Sequence, residues 1–129
     1  MSSLHCIEIE TLDIVTASVI WLHGLGANGN DFVPILSELK LPPEAGIRFI
    51  FPNAPEIPVT VNAGYIMPAW YDILELTEER VINEKHLAES VEGIQNLIDR
   101  EIERGVPADK ILLIGFSQGG AVAYHAALS

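Results

Sequence analysis

The stretch Gly115-Phe116-Ser117-Gln118-Gly119 decides the fold. It lies between an apolar run, Lys110 to Ile114, and a run of small residues with helical character, Gly120 to Leu128. A serine flanked by glycines between a strand and a helix is the pattern of a nucleophile elbow, in which a tight turn lifts the hydroxyl clear of the sheet. Side chains at the two glycine positions would collide with the neighbouring strand and helix. The alternative is an ordinary Gly/Ser-rich turn, but both flanks favour an exposed Ser117 at a helix N-terminus.

The composition limits the class of protein. The chain has 129 residues, enough for one domain, and a formal net charge of −11, which argues against binding to nucleic acid or to anionic membrane surfaces. No apolar run approaches the roughly 20 residues of a membrane span, and the first residues lack a basic and apolar leader. The single cysteine, Cys6, excludes an internal disulfide and fits a reducing compartment. These features predict a cytoplasmic protein.

The remaining periodicities predict alternating strands and helices. Cys6 to Glu10 alternates apolar and polar residues, which is typical of an edge strand. Ser18 to Leu22 is a mainly apolar run, as in a parallel strand that is covered on both faces, and Ile47 to Phe51, ended by Pro52, is the next predicted strand. Apolar residues recur at helical spacing from Asn83 to Arg104, at Leu87, Val91, Ile94, Ile98 and Ile102. The pattern predicts an α/β fold with a mostly parallel sheet and helices on both faces.

Two connecting segments are predicted less directly. Asp31 can cap a helix that carries Phe32, Ile35, Leu36 and Leu39 on one side and ends at Pro42-Pro43. Asn53 to Leu74 contains three prolines and no helical period, so it is expected to be an ordered loop whose aromatic residues form the wall of a pocket.

Gly24-Leu-Gly-Ala-Asn-Gly29 also matches the glycine fingerprint of a dinucleotide-binding fold. That fold requires an acidic residue at the end of the next strand, where this chain has Phe51 followed by Pro52. Asp31 would also repel a pyrophosphate. The other interpretation is an oxyanion loop, in which glycines let the N–H of Leu25 point at the space above Ser117.

The chain resembles the N-terminal part of the phospholipase/carboxylesterase family of α/β-hydrolases, which includes bacterial carboxylesterases and acyl-protein thioesterases. The motifs that carry the resemblance are Leu22-His-Gly-Leu-Gly26, Asn30-Asp-Phe32, Phe51-Pro-Asn-Ala-Pro55, Pro58-Val-Thr60, Met67-Pro-Ala-Trp-Tyr-Asp72 and Gly115-Phe-Ser-Gln-Gly-Gly-Ala121. The resemblance implies an α/β-hydrolase fold that is incomplete in residues 1–129, and cleavage of a small-molecule ester or thioester without a metal or organic cofactor.

The resemblance also implies roles for individual residues. Ser117 matches the nucleophile, and the backbone N–H groups of Leu25 and Gln118 match the oxyanion hole. The residues that match the border of the acyl-binding groove are Met67, Trp70 and Leu74, for which ordinary core packing is the alternative. His23 is expected to be a structural hydrogen-bonding residue rather than a base.

A serine nucleophile requires a histidine base and a carboxylate, which follow the serine in α/β-hydrolases. After Ser117 the sequence has no Asp or Glu and a single histidine, His125, which is eight residues along the helix and roughly 12 Å away. The chain alone is therefore expected to be inactive. It is expected to be either the N-terminal piece of a longer hydrolase, whose C-terminal part carries the acid and the histidine, or a truncated, silent fragment. A homodimer is the alternative partner to this C-terminal part.

Overall fold

The computed structural model describes residues 4–42, 44–74 and 81–128, and a four-stranded sheet organises them. The described residues form β1 (Cys6–Glu10), β2 (Ala17–Leu22), β3 (Ile47–Pro52), β4 (Glu56–Val59), β5 (Tyr65–Pro68), α1 (Glu84–Glu103), β6 (Ile111–Gly115) and α2 (Gln118–Leu128). The sheet has the order β1-β3-β2-β6, in which β1 is antiparallel to β3 and the other pairs are parallel. The predicted strands are confirmed to within one residue at their ends.

Helices cover both faces of this sheet, as predicted. On one face, Ile20, Leu22 and Ile50 pack with α1 and α2 around a fully buried core. On the other face, Val19, Phe49 and Phe51 pack against a 3-10 helix, Gly29–Glu38. Because both faces are covered, β2 and β3 are largely apolar, and their polar residues Ser18 and Arg48 are buried. The sheet positions the carboxyl ends of β2 and β6 side by side, with Leu22 opposite Gly115.

The segment from Asn53 to Leu74 differs from the predicted loop. It contains a two-stranded antiparallel hairpin, β4 with β5, joined by a short 3-10 turn at Thr60–Asn62. Pro58 and Pro68 lie within these strands, which two-stranded pairing permits because each strand has a free edge. The prolines of this segment led the sequence analysis to predict a loop where the structure has a β-hairpin.

The helix after the glycine-rich loop is 3-10, and its cap is not Asp31. The Asn28 side chain accepts the N–H of Asn30, and Asp31 accepts the N–H of Asn28, so the two side chains form a reciprocal capping box. The helix ends at Glu38, ahead of the prolines that were expected to end it. Phe32 and Leu36 pack on the sheet as predicted, whereas Ile35 and Leu39 are exposed.

Helix α1 occupies the predicted range, begins at the Asn83 cap and is 20 residues long. Its buried face differs at the C-terminal end, where Ile102 is 45% exposed and Glu101 is fully buried. Glu101 accepts hydrogen bonds from Ser18 Oγ at 2.6 Å, Arg48 Nη1 at 2.7 Å and Arg104 Nη1 at 2.9 Å. Glu8 and Glu10 of β1 bind the same arginines and Arg100, so a cluster of three glutamates and three arginines joins α1 to the sheet. Across residues 4–42, 44–74 and 81–128, no helix has the length and apolarity needed to span a membrane.

Candidate active site

Ser117 lies on the sharp turn between β6 and α2. Its backbone φ is +57°, in the left-handed region that costs a non-glycine residue free energy of order 1–3 kcal/mol, and such strain concentrates at functional sites. The turn is tight enough that a Cβ at Gly119 would lie 2.3 Å from the carbonyl oxygen of His23, and a Cβ at Gly115 would lie 2.4 Å from that of Gly119. The predicted reason for both glycines is confirmed. Ser117 itself is exposed.

A cavity of about 410 Å³ opens beside Ser117. It brings together three of the residues singled out in the sequence, Leu25, Ser117 and Gln118. The remaining lining residues come from the segment beyond β4 and from α2: Val61, Asn62, Tyr71, Ile73 and Ala121. The segment around the hairpin therefore contributes a pocket wall, as the sequence predicted, but of the aromatic residues on which that prediction rested only Tyr71 lines the cavity.

The glycine-rich loop that carries Leu25 lies directly against the elbow. A Cβ at Gly24 would be 3.4 Å from the Cβ of Ser117. Within the described part of the chain, the backbone N–H groups of Leu25 and Gln118 have no hydrogen-bond acceptor. Two unsatisfied donors thus belong to residues that share a cavity with an exposed serine, which is the donor arrangement that binds a developing oxyanion.

The fully buried His23 fixes the conformation of this loop. The N–H of Ala54 donates to its Nε2 at 3.0 Å, so the proton of the neutral ring is on Nδ1, which donates to the carbonyl of Gly24 at 2.7 Å. The N–H of Ala27 donates to the same carbonyl. In a planar trans peptide the N–H points away from the C=O, so these bonds also fix the direction of the Leu25 N–H. His23 is a structural hydrogen-bonding residue, as expected.

Replacing His23 by phenylalanine is expected to lower the free energy of unfolding by about 1–3 kcal/mol at pH 7, because the buried N–H of Ala54 loses its acceptor. Burial lowers the pKa of His23 from 6.5, more than its hydrogen bond to Gly24 raises it. The unfolded state therefore takes up the proton first, and this contribution is lost as the pH falls below 6.5. Denaturant titrations at pH 7 and 5.5 should show a smaller difference at pH 5.5.

His5→Phe, at an exposed histidine, is the matched control and should change stability by no more than about 0.5 kcal/mol. An equal difference between wild type and His23→Phe at both pH values would show that the neutral His23 ring is not what stabilises the fold.

The three residues expected at the border of an acyl groove lie in different surroundings. Trp70 is 1% exposed, stacks on His23 and donates its indole N–H to the carbonyl of His23 at 2.9 Å. Met67 is half-buried in β5, and its Sδ accepts a hydrogen bond from Asn62. Leu74 is 41% exposed. The cavity beside Ser117 is lined by residues other than these three, and Trp70 supports it from within the core.

The four histidines of the sequence all lie in the described residues, and none of them lines the cavity beside Ser117. His5 contacts Asn53, and both nitrogens of His23 are used within its own loop and by Ala54. His86 accepts the N–H of Asp72. His125, near the C-terminal end of α2, lines a separate depression with residues of α1. The described residues thus bring together an exposed serine and two backbone N–H donors, with no histidine among the residues that line their cavity.

The glycine-rich segment Gly24 to Gly29 lacks the free N–H groups that a dinucleotide site would need at the start of the following helix. The N–H of Gly29 donates to Asn53 Oδ1 at 2.7 Å, and that of Asn30 donates to Asn28. Asp31 completes the capping box at the same helix end. The first turn of this helix is thus closed by the chain's own side chains, whereas a pyrophosphate site requires free N–H groups.

A strand that ends in an exposed, strained serine, followed at once by a helix on a mostly parallel sheet, defines the class of α/β-hydrolases. The chain belongs to the phospholipase/carboxylesterase family, whose model matches residues 6–129. Acyl-protein thioesterase 1 of Schizosaccharomyces pombe is 44% identical over 117 residues, which cover 88% of this chain and 50% of that protein.

Solved structures agree with this assignment. The chain superposes on SOBER1 of Arabidopsis thaliana with a TM-score of 0.80 at 34% identity, covering 87% of this chain and 54% of that one. For Zea mays acyl-protein thioesterase 2 the TM-score is 0.78 at 32% identity, covering 95% of this chain and 50% of that one. The chain therefore has an α/β-hydrolase fold and spans about half the length of the curated relatives it matches.

Proposed function

We propose that the complete protein containing this chain is a serine hydrolase that cleaves carboxylic esters or thioesters through an acyl-enzyme on Ser117. The observation that carries the proposal is the exposed, strained Ser117 on one cavity with Leu25 and Gln118, whose N–H groups have no acceptor among the described residues. Family membership supports the same chemistry, and a related protein of Schizosaccharomyces pombe is named an acyl-protein thioesterase.

In the proposed mechanism, Ser117 Oγ attacks the acyl carbonyl carbon while a base takes its proton. The N–H groups of Leu25 and Gln118 bind the oxygen of the tetrahedral intermediate, and the alcohol or thiol leaves with the proton returned by the same base. Water then repeats the sequence on the acyl-enzyme and releases the acid. The base and its orienting carboxylate are proposed to be a histidine and an aspartate from a C-terminal part of the complete protein.

The walls of the cavity favour an apolar acyl group. Leu25, Val61, Ile73 and Ala121 contribute apolar side chains, and Tyr71 contributes an aromatic ring. Met67 and Leu74 lie in the same region of the chain and are proposed to border the path of the acyl chain where it leaves the cavity, with Trp70 behind them. The substrate is thus a small ester or thioester with an apolar acyl chain, and the single cysteine supports a cytoplasmic location.

The experiment is an intact-mass measurement on the purified protein before and after reaction with a fluorophosphonate, which phosphonylates activated serines. We expect a species heavier than the 14.1 kDa chain to gain one adduct, located on Ser117 by peptide mapping. The heat-denatured protein is the control for unspecific labelling. A heavier species that gains no adduct on Ser117 would contradict the hydrolase proposal, whereas a sample that contains only an unlabelled 14.1 kDa chain would identify a silent fragment.

A further inference from the structure

The side chain of Gln118 pairs with the backbone of the segment that carries the cavity wall. It is 4% exposed, its Oε1 accepts the N–H of Trp70 at 2.7 Å, and its Nε2 donates to the carbonyl of Tyr71 at 2.8 Å. A primary amide that both accepts and donates to adjacent peptide groups uses its two ends with no freedom to rotate. The residue directly after the proposed nucleophile is therefore joined to residues 70 and 71, which lie 48 and 47 positions earlier in the sequence.

Residues 70–73 are hydrogen-bonded to Thr60 and Val61, so the two segments that form the cavity wall are held together. The carboxylate of Asp72 accepts the N–H and the hydroxyl of Thr60, at 2.7 Å and 2.6 Å. The N–H of Val61 donates to the carbonyl of Ile73. Because Val61, Tyr71 and Ile73 all line the cavity, whatever fixes residues 70–71 relative to α2 fixes the wall relative to Ser117.

We propose that the Gln118 side chain is a positioning residue that sets the width of the cavity between Ser117 and the wall of Val61, Tyr71 and Ile73, and that it thereby selects the length of the acyl chain. This inference rests on the proposed hydrolase function. It concerns the side-chain amide of Gln118, whereas the backbone N–H of the same residue acts on the oxyanion.

The test compares two p-nitrophenyl esters, the acetate and the octanoate, with the complete protein. Gln118→Met keeps the length of the side chain and removes both hydrogen bonds. We expect the ratio of kcat/KM for octanoate over acetate to change by at least about tenfold, mainly through KM for octanoate, since a displaced wall alters contacts that only the longer chain makes. A ratio equal to that of the wild type would overturn the proposal even if both rates fell.

Gln118→Glu provides a matched variant with a rescue. Its carboxylate can accept the N–H of Trp70 but repels the carbonyl of Tyr71, whereas the protonated acid can pair with both. The octanoate-to-acetate ratio should therefore return toward the wild-type value as the pH is lowered from 8 to 5.5, over about the range in which a buried carboxyl titrates. Because both substrates share one base, its titration cancels in the ratio. The wild-type ratio over the same range accounts for the ionisable groups near residues 70–71, which are His23, Asp72, His86 and Glu89. A ratio for the Glu variant that does not depend on pH would contradict the proposal.

Amide hydrogen exchange separates this inference from the proposed function. The N–H of Trp70 should exchange faster in Gln118→Met than in the wild type, with no substrate involved. Gln95→Met, in α1 at a separate depression that includes Ala126, is the control and should leave both the exchange rate and the ester ratio unchanged. If the wild type cleaves no ester, the proposed function fails, and unchanged exchange at Trp70 would independently overturn the role of Gln118.

Discussion

Replacing Ser117 by alanine is expected to lower kcat/KM of the complete protein for esters by about 10⁴- to 10⁶-fold. The proposed acyl-enzyme forms on Ser117 Oγ, and alanine has no atom that can take its place. The N–H groups of Leu25 and Gln118 would remain, so the residual rate reports what the oxyanion donors and binding contribute alone. Steady-state hydrolysis of p-nitrophenyl acetate by both proteins measures the loss.

The fold should survive this substitution. Ser117 is exposed, and α2 begins beyond it at Gln118, so the free energy of unfolding should change by no more than about 0.5 kcal/mol. Ser37→Ala, at an exposed serine of the 3-10 helix, should retain full activity and controls for the chemistry of the substitution. If the Ser117→Ala protein kept more than a tenth of the activity, the nucleophile would have to be another residue.

Replacing Glu101 by alanine is expected to lower the free energy of unfolding by about 3–5 kcal/mol, the loss typical of breaking a buried ion pair from one side. The carboxylate is fully buried, and its removal leaves the guanidinium of Arg48, only 10% exposed, without its buried partner. Ser18 loses its acceptor as well. Chemical denaturation at pH 7 measures the change, and Glu103→Ala, at an exposed glutamate two positions along the same helix, is the control.

The same carboxylate gives stability a defined pH dependence. Burial raises the pKa of Glu101, but the hydrogen bonds from Ser18 and Arg48 outweigh it and hold the pKa below 4.5. The contribution is therefore complete above 4.5 and is lost as the pH falls toward the pKa of the folded state. The Ala variant should lack this component of acid unfolding. A loss below about 1 kcal/mol at pH 7 would mean that the cost of desolvating Glu101 cancels its ion pairs.

The elbow was predictable because all of its determinants are local in the sequence. Gly115, Ser117 and Gly119 are constrained by a turn of a few residues. The apolar run of the strand before the turn and the run of small residues in the helix after it are each recognisable in the sequence. The α/β class followed from the same periods. The hairpin of β4 and β5 was missed because Pro58 and Pro68 argue against strands, and only their place in an isolated two-stranded ribbon makes them acceptable.

Two other features could not be read from the sequence because they depend on distant partners. A glutamate in a helix is normally exposed to solvent, but Glu101 is buried. The residues that bind its carboxylate, Ser18 and Arg48, lie 83 and 53 positions earlier in the sequence. The side chain of Gln118 pairs with residues 70–71, which no spacing rule connects to the elbow. Charged and amide side chains carry no sequence signal for burial, since their environment is set by tertiary packing.

The cluster around Glu101 also changes how the charge of the molecule is distributed. Three of the seven lysine and arginine side chains, those of Arg48, Arg100 and Arg104, form ion pairs with three glutamates, Glu8, Glu10 and Glu101. The cluster is therefore electrically neutral. The whole net charge of −11 therefore belongs to the rest of the chain, where few cations remain to offset it. Two copies that approach each other with these negatively charged regions facing repel each other at low ionic strength. At about 0.15 M salt, screening confines this repulsion to distances of about 8 Å. Because the neutral cluster leaves the excess negative charge on the rest of the molecule, the ionic strength of the medium affects how closely two copies of this molecule can approach each other.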